Sequence, residues 1–450
     1  MRTDCNTQSI HFTPLGRRQV VADFEGGSIT SDAGALLLRE AAGRLRLFDR
    51  MARAIPDPRE PSMIEHEQQT MLAQRVLGIA CGWEDLNDHQ FLRNDPLFQA
   101  AADRAVDARR PLAGPSTLCR LENRVGRKAC VELSKLLVEL FIESHPTPPS
   151  ELVLDFDATD DPVHGHQIGR FFHGYYDHYC FLPLYVFCGE QLLVAYLRPA
   201  NIDAAKHSRA ILKLLVERLR QAWPTVKITL RGDSGFCRWK MLRWCDRHGV
   251  DYAVGLAKNP ALLRLAGPLM RLAEQQFEQS QQKQRIFGEF DYAAGTWDRS
   301  RRTIAKAEHD QRGHNPRFVL VSPGLGGEPQ RLYEQLYCAR GEMENRIKEQ
   351  QLGLFADRTS CHQFLANQFR VLLSAFAYVL VEHVRRTALA GTELQSAQVC
   401  TIRTKLLKVG AVVRTSVRRV VLHLSSSYPL ADLFRRVAAT LTGSIPQPSS

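Results

Sequence analysis

Apolar and polar positions change their period near residue 148. Before it, apolar residues recur mostly at helical spacing, as in "IEHEQQTMLAQRVLGIACG" (64–82). In "TSDAGALLLREAAGRL" (30–45), Thr30, Ser31 and Asp32 stand as caps ahead of a run of helix formers. "PSTLCRLENRV" (115–125) places Pro115 and Ser116 before a short helix bearing Arg120 and Arg124. Short helices with an Arg-bearing face fit a helix-turn-helix-like DNA reader, with Arg120 as a candidate DNA contact. An ordinary helical domain fits the same pattern.

After the Pro-rich stretch "HPTPPS" (145–150), which reads as a linker, strands alternate with helices. "ELVLDFDATDD" (151–161) reads as a strand, and Gly189-Glu190 divides two apolar runs as a hairpin would. An amphipathic helix follows over 204–221, then a strand ending at Asp233, a helix stopped by Gly249, and a strand over 250–257. This order predicts an α/β core with a mixed sheet. Residues 259–332 are charged, Gln-rich, then alternating, and predict a β-rich insertion. Helices over 333–355 and 363–389 precede a basic tail from 392. The segments expected are thus 1–148, 149–258, 259–332, 333–391 and 392–450.

Composition narrows the partners. The 450 residues carry 59 Lys and Arg against 48 Asp and Glu, a formal charge of +11, which favours polyanions such as nucleic acid. Eleven cysteines without a CxxC pair give no support to a zinc ribbon, and fit a reducing, cytoplasmic setting. The apolar stretch at 371–384 is too short and interrupted to span a bilayer and reads as a core helix, so no membrane partner is expected.

Three acidic features carry the candidate chemistry. In "LDFDATDD", Asp155 and Asp157 share one strand face and repel unless a cation or protons intervene; fraying into an Asp-rich turn is the plainer reading. In "LRGDSGF" (230–236), Asp233 closes a second strand of the same core, with Gly232 and Gly235 expected to permit a sharp turn. Adjacent strands lie ~4.8 Å apart, so carboxylates on both can reach a common ion. In "YCARGEMENRIKEQQ", Tyr337, Arg340, Glu344, Lys348 and Gln351 fall on one helical stripe, suited to a metal and a phosphate. A solvated face with a Glu344–Lys348 pair has the same spacing.

Taken together, "LDFDAT", "LRGDSGF" and Tyr337-x2-Arg340-x3-Glu344 resemble the DDE transposases of bacterial insertion sequences, in particular insertion sequence family 1380. The resemblance covers nearly the whole chain. It implies an RNase H-like core with a β-rich insertion, a helical N-terminal DNA-binding region and a basic C-terminal region. It also implies Asp157, Asp233 and Glu344 as the catalytic, metal-holding carboxylates for two Mg2+ ions, with Mn2+ as a substitute. Tyr337, Arg340 and Lys348 would contact DNA, and Trp297 in the insertion would stack a displaced base. Gln351 departs from the wider group, which has Lys there. The partners implied are DNA, as terminal inverted repeats and target, and a second copy in a synaptic homodimer, at the bacterial nucleoid. Two other readings remain. His164, His166, His173 and His178 beside Asp155 and Asp157 would suit a zinc or iron hydrolase, and a chain that binds element ends without cutting would carry the same basic charge.

Overall fold

The computed structural model describes residues 9–107 and 109–443. The chain forms two compact units. Of the described residues, one gathers 9–49, those of Asp57–Cys119, and 383–443; the other holds Arg50–Pro56 and Arg120–Glu382.

The first unit joins both ends of the sequence. An exposed hairpin pairs Ile10–Leu15 with Arg18–Ala22. Helices Ala35–Leu45 and Gln68–Cys81 come next, the second buried almost all round. The basic tail folds back: Ala411–Thr415 pairs with Val420–Leu424 on one side and Ile29–Thr30 on the other. Buried Asp32 meets Lys408 at 2.7 Å. The N-terminal and C-terminal regions, expected as separate segments, therefore share one unit.

The second unit is built on one mixed sheet. Its strands are β1 (Glu151–Ala158), β2 (Leu184–Cys188), β3 (Gln191–Tyr196), β4 (Lys227–Gly232), β5 (Asp251–Leu256), β6 (Gln284–Tyr292), β7 (Arg301–Asp310) and β8 (Arg317–Val321). The order across it is β6-β7-β8-β5-β4-β1-β2-β3, with Gly313–His314 paired to β7. β1, β4 and β5 run parallel; β2 and β3 continue by antiparallel hairpin through Gly189 at φ 58°. Leu152, Leu154 and Phe156 put one face of β1 into the main core, with Leu230, Tyr252 and Val254. That leaves Asp155 and Asp157 on the other face, as strand alternation requires.

The helices of this unit include α1 (Arg127–Glu143), α2 (Ser208–Ala222), α3 (Trp239–Arg247) and α4 (Gly267–Ser280). α1 buries Val138 and Phe141 in the sheet's core. The unit boundary thus precedes the Pro-rich stretch, which merely joins α1 to β1. α1, second in the helix pair containing Arg120, packs one face on the sheet's core. The segment 259–332 opens with helices, α4 among them, over the Gln-rich stretch. Its strands are no separate sheet, because β8 hydrogen-bonds to β5.

The expected single helix over 333–355 changes pitch repeatedly. Leu332–Tyr337 is a π-helical turn and Cys338–Arg340 a 3-10 turn; α5 (Gly341–Lys348) then gives way to a second π turn, Glu349–Gly353. α6 (Phe364–Ala388) is long and apolar enough to cross a membrane, but 83% of its most apolar window is buried within the fold, as in a core helix.

Candidate active site

Adjacent parallel strands end at the same sheet edge, so β1 and β4 deliver Asp157 and Asp233 side by side. In open α/β sheets that edge is where ligands bind. There, Asp157, Asp233, Arg340, Glu344, Lys348 and Gln351 line one cavity of about 460 Å³, with His173, Tyr175 and Tyr176 on its rim.

Asp157 is half-buried, as is Asp233, while Glu344 is exposed. Asp157 Oδ1 accepts from the Ala158 amide at 2.9 Å, and Arg340 Nη1 stands 3.5 Å from Oδ2. Burial pushes its carboxyl up to about 7, against the pull of Arg340 and helped by repulsion from Asp233 and Glu344. Arg340 also donates to Glu344 at 2.7 Å, so one guanidinium spans two of the three acids. Glu344 thus pairs back to Arg340, and Lys348 is left exposed on the cavity wall.

Asp233 is both a turn former and a cavity residue. Its Oδ1 accepts from the Gly235 amide at 2.8 Å and caps the short helical turn Ser234–Phe236. Neither flanking glycine takes a positive φ, so the expected reason for them is corrected. Space is the reason: a Cβ on Gly232 would lie 3.2 Å from Phe236 Cβ, and one on Gly235 2.9 Å from Asp233 Oδ1.

All three acids offer carboxylate oxygens, the donors that hard divalent cations prefer. The three line one cavity, so the residues present fit a divalent ion. Their oxygens are too spread to form one three-ligand cluster. Among the described residues, the set of three with ligand atoms within 4.8 Å of one another is Glu274, His309 and His314.

Asp155 takes no part. Arg231 binds it through Nε and, at 2.7 Å, through Nη2, from directly across the β1–β4 ladder. The cation that Asp155 requires is therefore a side chain of "LRGDSGF" itself. Arg231 Nη1 also donates to the Leu336 carbonyl at 2.6 Å, tying both strands to the segment that carries Arg340 and Glu344. Nothing in the residue pattern singled out Arg231; its place opposite Asp155 follows from strand register.

The other expected site residues have separate roles. Tyr337 is half-buried behind the cavity: a Cβ on Gly255 of β5 would lie 2.6 Å from its hydroxyl and 2.9 Å from the Ser234 nitrogen. Its hydroxyl and the Asp233 turn both close on Gly255. Gln351 donates to the Asp160 carbonyl at 3.0 Å, which fastens the last π turn to the chain leaving β1. Trp297 stands outside the cavity lining, edge-on to Tyr292 at 5.5 Å with Arg301 over its ring, covering the core beneath the outer strands. Arg120 is exposed on the helix Pro115–Arg124. The histidines near β1 are engaged singly: His178 with Asp160 at 2.9 Å, His166 with Arg170 at 3.0 Å.

A mixed α/β sheet with three acids at its edge suits an enzyme acting on phosphodiesters. Residues 12–445 match the family described as transposase DDE domain group 1, and the chain belongs to that family. No curated protein matches it. Among solved structures it is similar to a chain of the piggyBac transposase synaptic complex with hairpin DNA. The two are 10% identical with a TM-score of 0.43, covering 84% of this chain and 80% of that one.

Proposed function

We propose that this chain is a DNA transposase of the insertion sequence family 1380 type. It binds the terminal inverted repeats of its element, cuts the ends and joins them to target DNA. The observation that carries the reading is the convergence of Asp157, Asp233 and Glu344, from three separate elements, on one cavity. The strand order β3-β2-β1-β4-β5, with β1, β4 and β5 parallel, supports an RNase H-like core.

Asp157, Asp233 and Glu344 would hold two Mg2+ ions, with Mn2+ as a substitute. Such ions supply Lewis-acid activation of the attacking and leaving oxygens. Arg340 and Lys348 hold the phosphate by charge-assisted hydrogen bonds. Water oxygen attacks phosphorus and the P–O3′ bond breaks, leaving a 3′-hydroxyl. That hydroxyl then attacks a target phosphodiester, expelling another 3′-oxygen. Tyr337 acts through Asp233, as a positioning residue, and two copies would hold the paired ends.

The test uses purified full chain and a labelled duplex carrying the element's end, with Mg2+ or EDTA, as wild type and as Glu344→Gln. Cleavage that requires both Mg2+ and Glu344 supports the reading. Binding without cleavage under every metal condition would leave an end-binding protein that does not cut.

A further inference from the structure

We propose that the outer face of α3 is a second DNA site, one that takes a single strand, with its phosphates on cations and its unpaired bases on two indoles. The inference rests on the transposase reading only in taking DNA as the polyanion. A groove of about 380 Å³ is lined by Arg209, from the first turn of α2, and by Trp239, Lys240, Arg243, Trp244 and Arg247 of α3, closed by His248. No acid lines it. Asp298 approaches Arg243 only at 3.8 Å, and Arg209, Lys240 and Arg247 have no acidic partner among the described residues.

The helix explains the arrangement. Met241, Leu242 and Cys245 turn one face into the core. Asp246 is paired away from the groove, with Arg299 and Arg301 at 2.7 and 2.9 Å. The other positions, with His248 just beyond the helix, fall in two rows at i,i+4 spacing, 239-243-247 and 240-244-248, which interleave indoles with cations. Trp244 packs partly against the core, but both Trp239 and Trp244 are only partly buried and keep ring surface on the groove, which a purely solvated helix face would not need. Lys240 and Arg243 lie 5.6 and 6.0 Å from the Trp239 ring. Trp244 already accepts a flat partner, His248, stacked at 4.3 Å and 16°. An acidic peptide would use the cations and leave the rings idle. A duplex keeps its bases stacked on each other. A single strand uses both, because every base has a face to stack and every linkage a charge.

The groove is also close to the carboxylate cavity along the chain. Asp233 lines the cavity and Trp239 the groove, six residues later; Ala204 and Arg209 do the same five residues apart. Even fully extended, six residues span at most about 22 Å. A strand leaving the cavity therefore has this groove within reach.

The experiment measures binding, in EDTA so that nothing is cut, of the full chain to a fluorescein-labelled oligothymidylate and to the element-end duplex, across a salt series. Trp239→Ala should weaken oligothymidylate binding roughly ten-fold while changing duplex binding little. Lys240→Ala with Arg247→Ala should reduce the slope of log affinity against log salt for the single strand by about 1.4. If Trp239→Ala does not fold, Lys240→Glu on the exposed side of the helix carries the same expectation of weakened binding. Variants that bind the oligonucleotide within about two-fold of wild type with an unchanged slope overturn the proposal. So does equal competition by polyglutamate. Those results leave the transposase reading intact if wild type still cuts with Mg2+. Failure of wild type to bind either DNA would sink both.

Discussion

Replacing Arg231 by Met isolates a buried ion pair that joins two core strands of the second unit. The Asp155 side chain is 2% exposed and that of Arg231 10%. Burial raises the Asp155 carboxyl above its usual range, with Arg231 the leading pull in the other direction. Removing one member of such a buried pair typically costs ~3–5 kcal/mol, because the other charge is stranded. Replacing both by groups of similar volume is close to neutral. Arg231→Met should therefore lose about 3–5 kcal/mol at pH 7, and the double variant Asp155→Asn with Arg231→Met should recover most of that. Urea unfolding followed by tryptophan fluorescence reads both. The Arg231→Met deficit should shrink in acid, as Asp155 takes up a proton. Since Arg231 also holds the Leu336 carbonyl, the double variant should regain stability faster than it regains DNA cleavage. An Arg231→Met protein within about 1 kcal/mol of wild type, or a double variant no better than the single, would refute the reasoning.

Gly255→Ala should destabilise by roughly 1–3 kcal/mol, since its Cβ meets backbone at Ser234 as well as the Tyr337 hydroxyl, and thermal melts with Tyr337→Phe will show whether the tyrosine can yield. Asp157 binds its proton more tightly folded than unfolded, so its contribution to stability is complete below about pH 4. That contribution is lost as pH rises through about 7. Metal-free protein should then melt at a lower temperature at pH 8.5 than at pH 6, and Asp157→Asn should flatten the difference. Conversely, burial and the nearby Arg386 and Arg44 lower His383 to about 4, so its share of stability is present above its unfolded value near 6.5 and fades as pH falls through 4. Replacing it by Gln should make the chain less acid-labile in the same melts. Lys348→Ala, on an exposed cavity residue, should leave the melting temperature unchanged and weaken DNA binding with a shallower salt dependence.

Local pattern was enough to read the parallel core, because Leu152-Leu154-Phe156 and Ile228-Leu230 alternate cleanly and Gly189-Glu190 marks its own hairpin. Local pattern marks the acids found on the cavity as candidates, but the choice of Asp157 over Asp155 rests on the family resemblance and not on periodicity. Long-range pairing was not legible. That β8 hydrogen-bonds to β5 depends on register over many residues, and no local signal separates an inserted domain from an extension of the sheet. The tail's return to Ile29–Thr30 is hidden likewise. The partner of Arg231 was not legible either, since only the ladder puts it opposite Asp155. Helical spacing kept Gln351 with the cavity residues but misled at Tyr337, which lies outside the lining, since the turn around it is not 3.6 residues wide.

The unbroken ladder from β6 to β3 has a mechanical consequence. A segment hung from the core by two flexible joints can swing while the core stays still. Strands welded edge to edge cannot: a load applied at β6 arrives at β5, β4 and β1 as added twist of a single plate. The outer strands are thereby held in register with β4 and β1, whose ends carry Asp233 and Asp157.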